Sequence, residues 1–110
     1  MRLSPRDLLV VIWRVAEGWA HLGGEKFGEA AESAQLAIDW NSAFTDAHGI
    51  LACALAHAGR LEAARLALQE YVRQMPGLTL SDSRLNRPFR RAADRDRFLD
   101  GLRKAGLPEN

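Results

Sequence analysis

Cys53 and His57 stand four residues apart in a stretch read below as helix, so their side chains can share one face. A thiol and an imidazole at that spacing are the start of a metal site or a thiolate–imidazole pair. Neither is completed here: His21 and His48 supply no obvious third ligand, and a tetrahedral zinc site needs four. The other patterns that carry chemistry are missing from the chain. It has no glycine-rich phosphate loop, no HExxH, no CxxC and no nucleophile elbow. No catalytic, cofactor-binding or metal-binding residue is assigned, and the segment is not read as an enzyme.

Two further groups could recognise a partner. The three tryptophans, Trp13, Trp19 and Trp40, are either core or an aromatic surface. Trp13 and Trp40 are most simply packing residues, whereas Trp19 lies on a helix face that could line a groove. The second group is basic: Arg84, Arg87, Arg90, Arg91, Arg95, Arg97, Arg103 and Lys104 crowd into the last third. Residues 82–110 carry eight basic and five acidic side chains, against seven and nine in 1–81. Asp82, Asp94, Asp96 and Asp100 interleave with the arginines, which favours a salt-bridged surface over a nucleic-acid footprint.

The elements that must position these residues are helical. Ala (18) and Leu (16) dominate the 110 residues while Val, Ile and Thr total nine, which favours an all-α fold. Hydrophobic residues make up 47% and charged residues 26%, a composition able to form a core. The net charge of +1 argues against a strongly electrostatic partner for the whole chain. One cysteine excludes an internal disulfide and fits a reducing compartment. The run Leu8–Trp13 is too short to span a bilayer and is followed by no cleavage signal, so a cytoplasmic module is expected.

Periodicity divides the chain. Ser4 is a candidate N-cap and Pro5 suits a first turn. From Asp7 the apolar residues Leu8, Val11, Ile12, Val15, Trp19 and Leu22 recur at helical spacing until Gly23-Gly24. A second helix is predicted over 26–39, a third over 45–58 with Thr45 as a candidate cap and Gly59 as a left-handed terminator, and a fourth over 61–74 before Met75-Pro76-Gly77. A turn or two of helix starting at Ser81 and stopped by Pro88, then a closing helix over 93–104 ending at Gly106, complete the reading.

The chain also repeats itself. Phe27, Ala30, Ala34 and Ala37 reappear as Leu61, Ala64, Leu68 and Tyr71, and Gly18 as Ala52, all at the same 34-residue offset. Small residues allow two helices to approach where their axes cross, and the large ones fill the gap to the next helix. A helix–turn–helix unit of that length resembles the tetratricopeptide repeat. Gly59–Pro76 resembles its second half most closely; in the first copy Glu25 takes the turn-glycine place and Ser42 the place of the closing proline. The expected architecture is a right-handed stack of helical hairpins with repeat one over about 8–41, repeat two over 45–76, and a short helix and capping helix over 81–105.

LSPRD, then WAHLGGEKFGEAAESAQLAI, AGRLEAA and the tail FLDGLRKAGLPE together resemble a narrower group. This is the tetratricopeptide region C-terminal to bacterial class III adenylate/guanylate cyclase domains and to some winged-helix regulators. The resemblance spans essentially the whole chain and departs where Arg91-Ala92 replace an Asp-Pro that opens the last helix. It implies that Met1 marks a cut within a longer signalling protein and that Leu3-Ser4-Pro5 is the closing turn of a preceding repeat.

On the family pattern, Ile12, Val15, Trp19, Leu22, Asp46, Gly49, Cys53 and His57 line a concave groove that would bind a protein or peptide. The opposing expectation is that the last helix, or a further repeat, covers them. Repeats that clamp a C-terminal carboxylate use Lys, Asn and Arg where Val15, Trp19, Gly49 and Cys53 stand here, so that partner class is not expected. Because repeat arrays need about three units, an apolar end at the first helix is expected to be covered by a second copy or by preceding repeats. The alternatives are the tail of a winged-helix regulator and a stand-alone ligand-binding bundle.

Overall fold

A computed structural model describes residues 5–85, 89 and 91–110. The chain is all-α. Its helices are α1 (Pro5–Gly23), α2 (Phe27–Trp40), α3 (Thr45–His57), α4 (Leu61–Gln74) and α5 (Ala92–Ala105), with one 3₁₀ turn at Ser83–Leu85. Short connections make α1–α2 and α3–α4 into hairpins; α2 packs on α3, and α5 lies chiefly on α3 with lesser contacts to α4 and α1. The expected cap Ser4 and stop Pro88 lie outside the described residues.

The two hairpin turns are the same turn. At the second, Arg60 N–H donates to Leu55 O (2.9 Å) and Gly59 N–H to Ala56 O (3.1 Å), a Schellman ending with Gly59 at φ +83°. At the first, Lys26 N–H donates to His21 O (2.8 Å) and Glu25 N–H to Leu22 O (3.0 Å). Every donor and acceptor is shifted by the period of the sequence repeat. The register holds at the far ends of α2 and α4: Asn41 N–H to Ala37 O matches Met75 N–H to Tyr71 O, and Phe44 N–H to Asn41 O matches Leu78 N–H to Met75 O. Glu25 therefore adopts φ +57° in a position shaped for glycine.

Small residues set the helix crossings. Ala30, Ala34, Ala37, Ala52 and Ala64 are fully buried. A Cβ on Gly18 would sit 3.1 Å from Ile50 Cγ2 of α3 and 3.8 Å from Ala30 O of α2, so this one glycine brings three helices together. A Cβ on Gly49 would meet the Tyr71 ring at 2.8 Å, and the ring thus occupies the space a side chain would need.

After α4 the 34-residue pattern stops. Leu78, Leu80, Leu85 and Leu107 are buried, and the backbone of Leu80 and Ser81 donates to Pro108 O (2.8 Å) and Glu109 O (3.2 Å). This pairing draws the C-terminal tail across the end of the second hairpin. A third Schellman ending holds it there: Gly106 at φ +114° lets Leu107 N–H reach Leu102 O (3.0 Å), and both leucines are buried.

Some sequence expectations are corrected. Thr45 does not cap α3; Phe44 is the N-cap residue, and Thr45 Oγ1 donates instead to Gln74 Oε1 (2.8 Å), tying the hairpin ends. Trp13 and Trp40 are not packed inside but 66% and 45% exposed: no described element covers the side of α1 that carries Trp13, and Trp40 ends α2. Leu61, expected to fill an interhelical gap, is 49% exposed. The start of α5 carries no side-chain cap at Arg91, in keeping with the departure seen there in the sequence.

Candidate functional site

The eight residues expected to line a groove do not share one open surface. Val15, Leu22, Gly49 and Cys53 are buried, Trp19 and His57 are half-buried, and Ile12 and Asp46 are exposed. What closes the face is α5. Gly101 lies so close to α3 that a Cβ there would collide with Cys53 Sγ and come within 3.0 Å of both Cys53 Cα and His57 Cδ2. His57 Nε2 donates to the Arg97 carbonyl (2.8 Å) while its ring stacks on Phe27 at 4.7 Å. Trp19 meets Phe98 edge-on at 5.0 Å and Phe89 at 5.9 Å. The open part of the inner face is therefore its Ile12–Asp46 end.

Cys53 and His57 are neighbours, as the spacing implied, but both are spent on holding α5. Burial pushes the Cys53 thiol up to about 12, against a smaller opposing pull from Arg97. A thiol in that setting is neither a thiolate ligand nor a nucleophile. Among the described residues no three His, Cys, Asp or Glu side chains gather as a metal site would require. Nor is any described helix long and apolar enough to cross a membrane.

A cavity of about 730 Å³ opens beside the end of α1, walled by Trp19, Phe89 and Phe98, with Arg91, Asp94 and Arg97 at its rim. The charges there are mutually engaged. Asp94 accepts from Arg91 (3.2 Å) and from Arg97 (3.0 Å), and the Arg91 hydrogen bond leads in holding its carboxyl below the usual carboxylate range. Three more members of the basic tail are similarly paired: Arg84 with Asp82 (2.8 Å), Arg103 with Glu109 (2.8 Å) and Lys104 with Asp100 (3.4 Å). Arg87 and Arg90 lie outside the described residues.

The apolar end expected at the first helix is the outermost face of α1, though its residues were not named from the sequence. Leu9 and Trp13 are each 66% exposed there, and Ala16 and Ala20 continue the same stripe. Their spacing of four, three and four was legible, but the stronger stripe on the buried side of α1 masked it.

No family model, curated protein or solved structure matches this chain.

Proposed function

We propose that the chain is a tetratricopeptide-like protein-interaction module, the regulatory C-terminal region of a bacterial class III adenylate or guanylate cyclase, and no enzyme in itself. One observation carries the repeat reading: two successive hairpins reproduce each other's turn hydrogen bonds at a 34-residue offset. That is the length of the tetratricopeptide unit. The assignment to cyclases rests on the sequence resemblance, above all on FLDGLRKAGLPE, which forms the end of α5 and the tail that closes the second hairpin. A cytoplasmic setting goes with this reading, with a protein, a peptide or a second copy as partner.

The coding sequence upstream of Met1 tests it first. A cyclase domain is expected there, and removal of residues 1–110 from that parent should change its nucleotidyl-cyclase activity or its assembly state. An upstream frame without a cyclase, or a parent indifferent to the deletion, overturns the proposal. A winged helix upstream would move the module to a transcriptional regulator. The aromatic cavity beside Trp19 favours the competing ligand-binding bundle. Its mark would be a saturable change in tryptophan fluorescence with a small aromatic anion, lost in Phe98→Ala.

A further inference from the structure

The repeat allows the two hairpins to be compared position by position, and on one face they differ sharply. At the repeat offset, Trp13, Ala16 and Ala20 of α1 correspond to Ala47, Ile50 and Ala54 of α3. The latter three are wholly buried, whereas the former three are exposed, Trp13 to 66%. In the second hairpin that stripe is covered by the preceding helices. In the first, no described element covers it, although it keeps the character of a helix-accepting face. Leu9, Trp13, Ala16 and Ala20 are spaced four, three and four, so they fall on one line along α1, opposite the buried Val11, Val15, Gly18 and Leu22.

We infer that this face is a two-fold dimer interface in which α1 of one chain lies antiparallel on α1 of a second copy. The inference rests on the reading of the chain as an interaction module and names the partner. Its first ground is shape. Antiparallel packing sets Leu9 against the partner's Ala20 and Trp13 against the partner's Ala16, large on small twice over. A parallel pair would set Trp13 on Trp13 and Ala16 on Ala16, a clash beside a gap. The second ground is topology. Head-to-tail stacking, in which the second hairpin of one copy covers α1 of the next, needs a free end beyond α4. That end is closed by Leu78, Leu107 and the backbone pairing of Leu80 with Pro108.

Size and charge agree. Leu9 and Trp13, each 66% exposed, form with the exposed Ala16 and Ala20 a contiguous stripe, flanked by Leu8 at 44%. It amounts to on the order of 400 Å² of largely apolar surface, within the range at which a patch marks an interaction site. Flanking polar stems such as that of Arg6 extend it toward the roughly 800 Å² per partner of a standard interface. Arg6, at the start of α1, comes to lie beside the C-terminal turn of the partner's α1, where the helix dipole favours a cation.

Sedimentation equilibrium of the full 110-residue chain is expected to show a monomer–dimer equilibrium. Trp13→Glu and Leu9→Glu should each weaken it at least 100-fold while the helical circular dichroism is unchanged. The register has its own readout. Leu9→Cys mixed with Ala20→Cys should form an oxidised heterodimer readily, and Leu9→Cys alone should not, since the native Cys53 is buried and out of reach. A monomer at millimolar concentration overturns the dimer, as does a dimer that survives Trp13→Glu, and so does a parent protein in which a preceding repeat covers Leu9 and Trp13. Crosslinking of Leu9→Cys to itself overturns the antiparallel register. The deletion experiment above also reads the parent's cyclase activity, which does not depend on this contact alone, so the two readings fail separately.

Discussion

Val15 and Ala37 in the first hairpin stand where Gly49 and Tyr71 stand in the second, one repeat further on. All four are buried. One hairpin fills its interior with a medium and a small side chain, the other with none and a large ring that takes the space over Gly49. The same backbone is thus filled in two ways, and side-chain volume is conserved across the pair rather than at either position. The hairpins also differ in what lies on them. α3 is enclosed by α1, α2, α4 and α5, while α1 is open along its outer stripe. The second hairpin is the core of the fold, and the first is its edge.

The largest test of that contrast is Gly101→Val. A side chain there runs into Cys53 and His57, so α5 cannot seat, and a loss of about 3 kcal/mol is expected in urea unfolding. A value under about 1 kcal/mol would mean that α5 is not held on α3 as described.

Next is Tyr71→Ala. Emptying the ring site over Gly49 should cost about 3 kcal/mol. The double variant Gly49→Val/Tyr71→Ala installs the combination of the first hairpin and should recover part of that loss. The cycle should therefore show coupling of roughly 1 kcal/mol, and strict additivity would break the claim that the two hairpins exchange volume.

A smaller effect, of opposite sign, belongs to the turns. Glu25 at φ +57° stands where the second hairpin has Gly59 at +83°. Glu25→Gly should stabilise by about 1 kcal/mol by relieving the left-handed strain. The pair it forfeits, Glu25 with Arg97 at 3.7 Å, is weak because Glu25 is exposed. Gly59→Ala should destabilise by a similar amount, so the two turns should respond as mirror images in thermal melts.

The smallest effect is on pH dependence. The Asp94 carboxyl is lowered from its ordinary 3.8, first by the hydrogen bond from Arg91. A depressed carboxylate stabilises the fold above its ordinary value and loses that contribution as pH falls through the lowered one. Asp94→Asn should flatten this acid limb below pH 3.8 without changing the melt at neutral pH by more than the exposed pair is worth. An unchanged acid limb would show that the Arg91–Asp94–Arg97 cluster at the start of α5 adds nothing to acid stability.

The helices were legible because each depends on neighbours in sequence. Alternation of large and small residues at helical spacing, Gly59 and Gly106 as terminators, and the 34-residue offset all act within a turn or between adjacent helices. Boundaries read from them fall within a residue or two of α1–α5. What local pattern left open was which face is covered. Trp13 read as a packing residue, and for the inner face carrying Trp19, Cys53 and His57 two expectations stood side by side, a groove open to a partner and a face covered by the last helix; the structure has α5 on it. Thr45 read as a cap because its type suits one, but the distant Gln74 offered its hydroxyl a partner.

By itself, then, the sequence determined an all-α chain, its turns and its internal period, since all three arise from local backbone preferences and short-range packing. The tertiary structure alone decided that α5 folds back onto α3 through Gly101, that the tail closes the far end of α4, and that the stripe of α1 left uncovered by the described residues is the one carrying Leu9 and Trp13. Those outcomes depend on close approach between residues distant in the chain, such as His57 and Arg97 or Leu80 and Pro108, and no local pattern encodes which surface meets which.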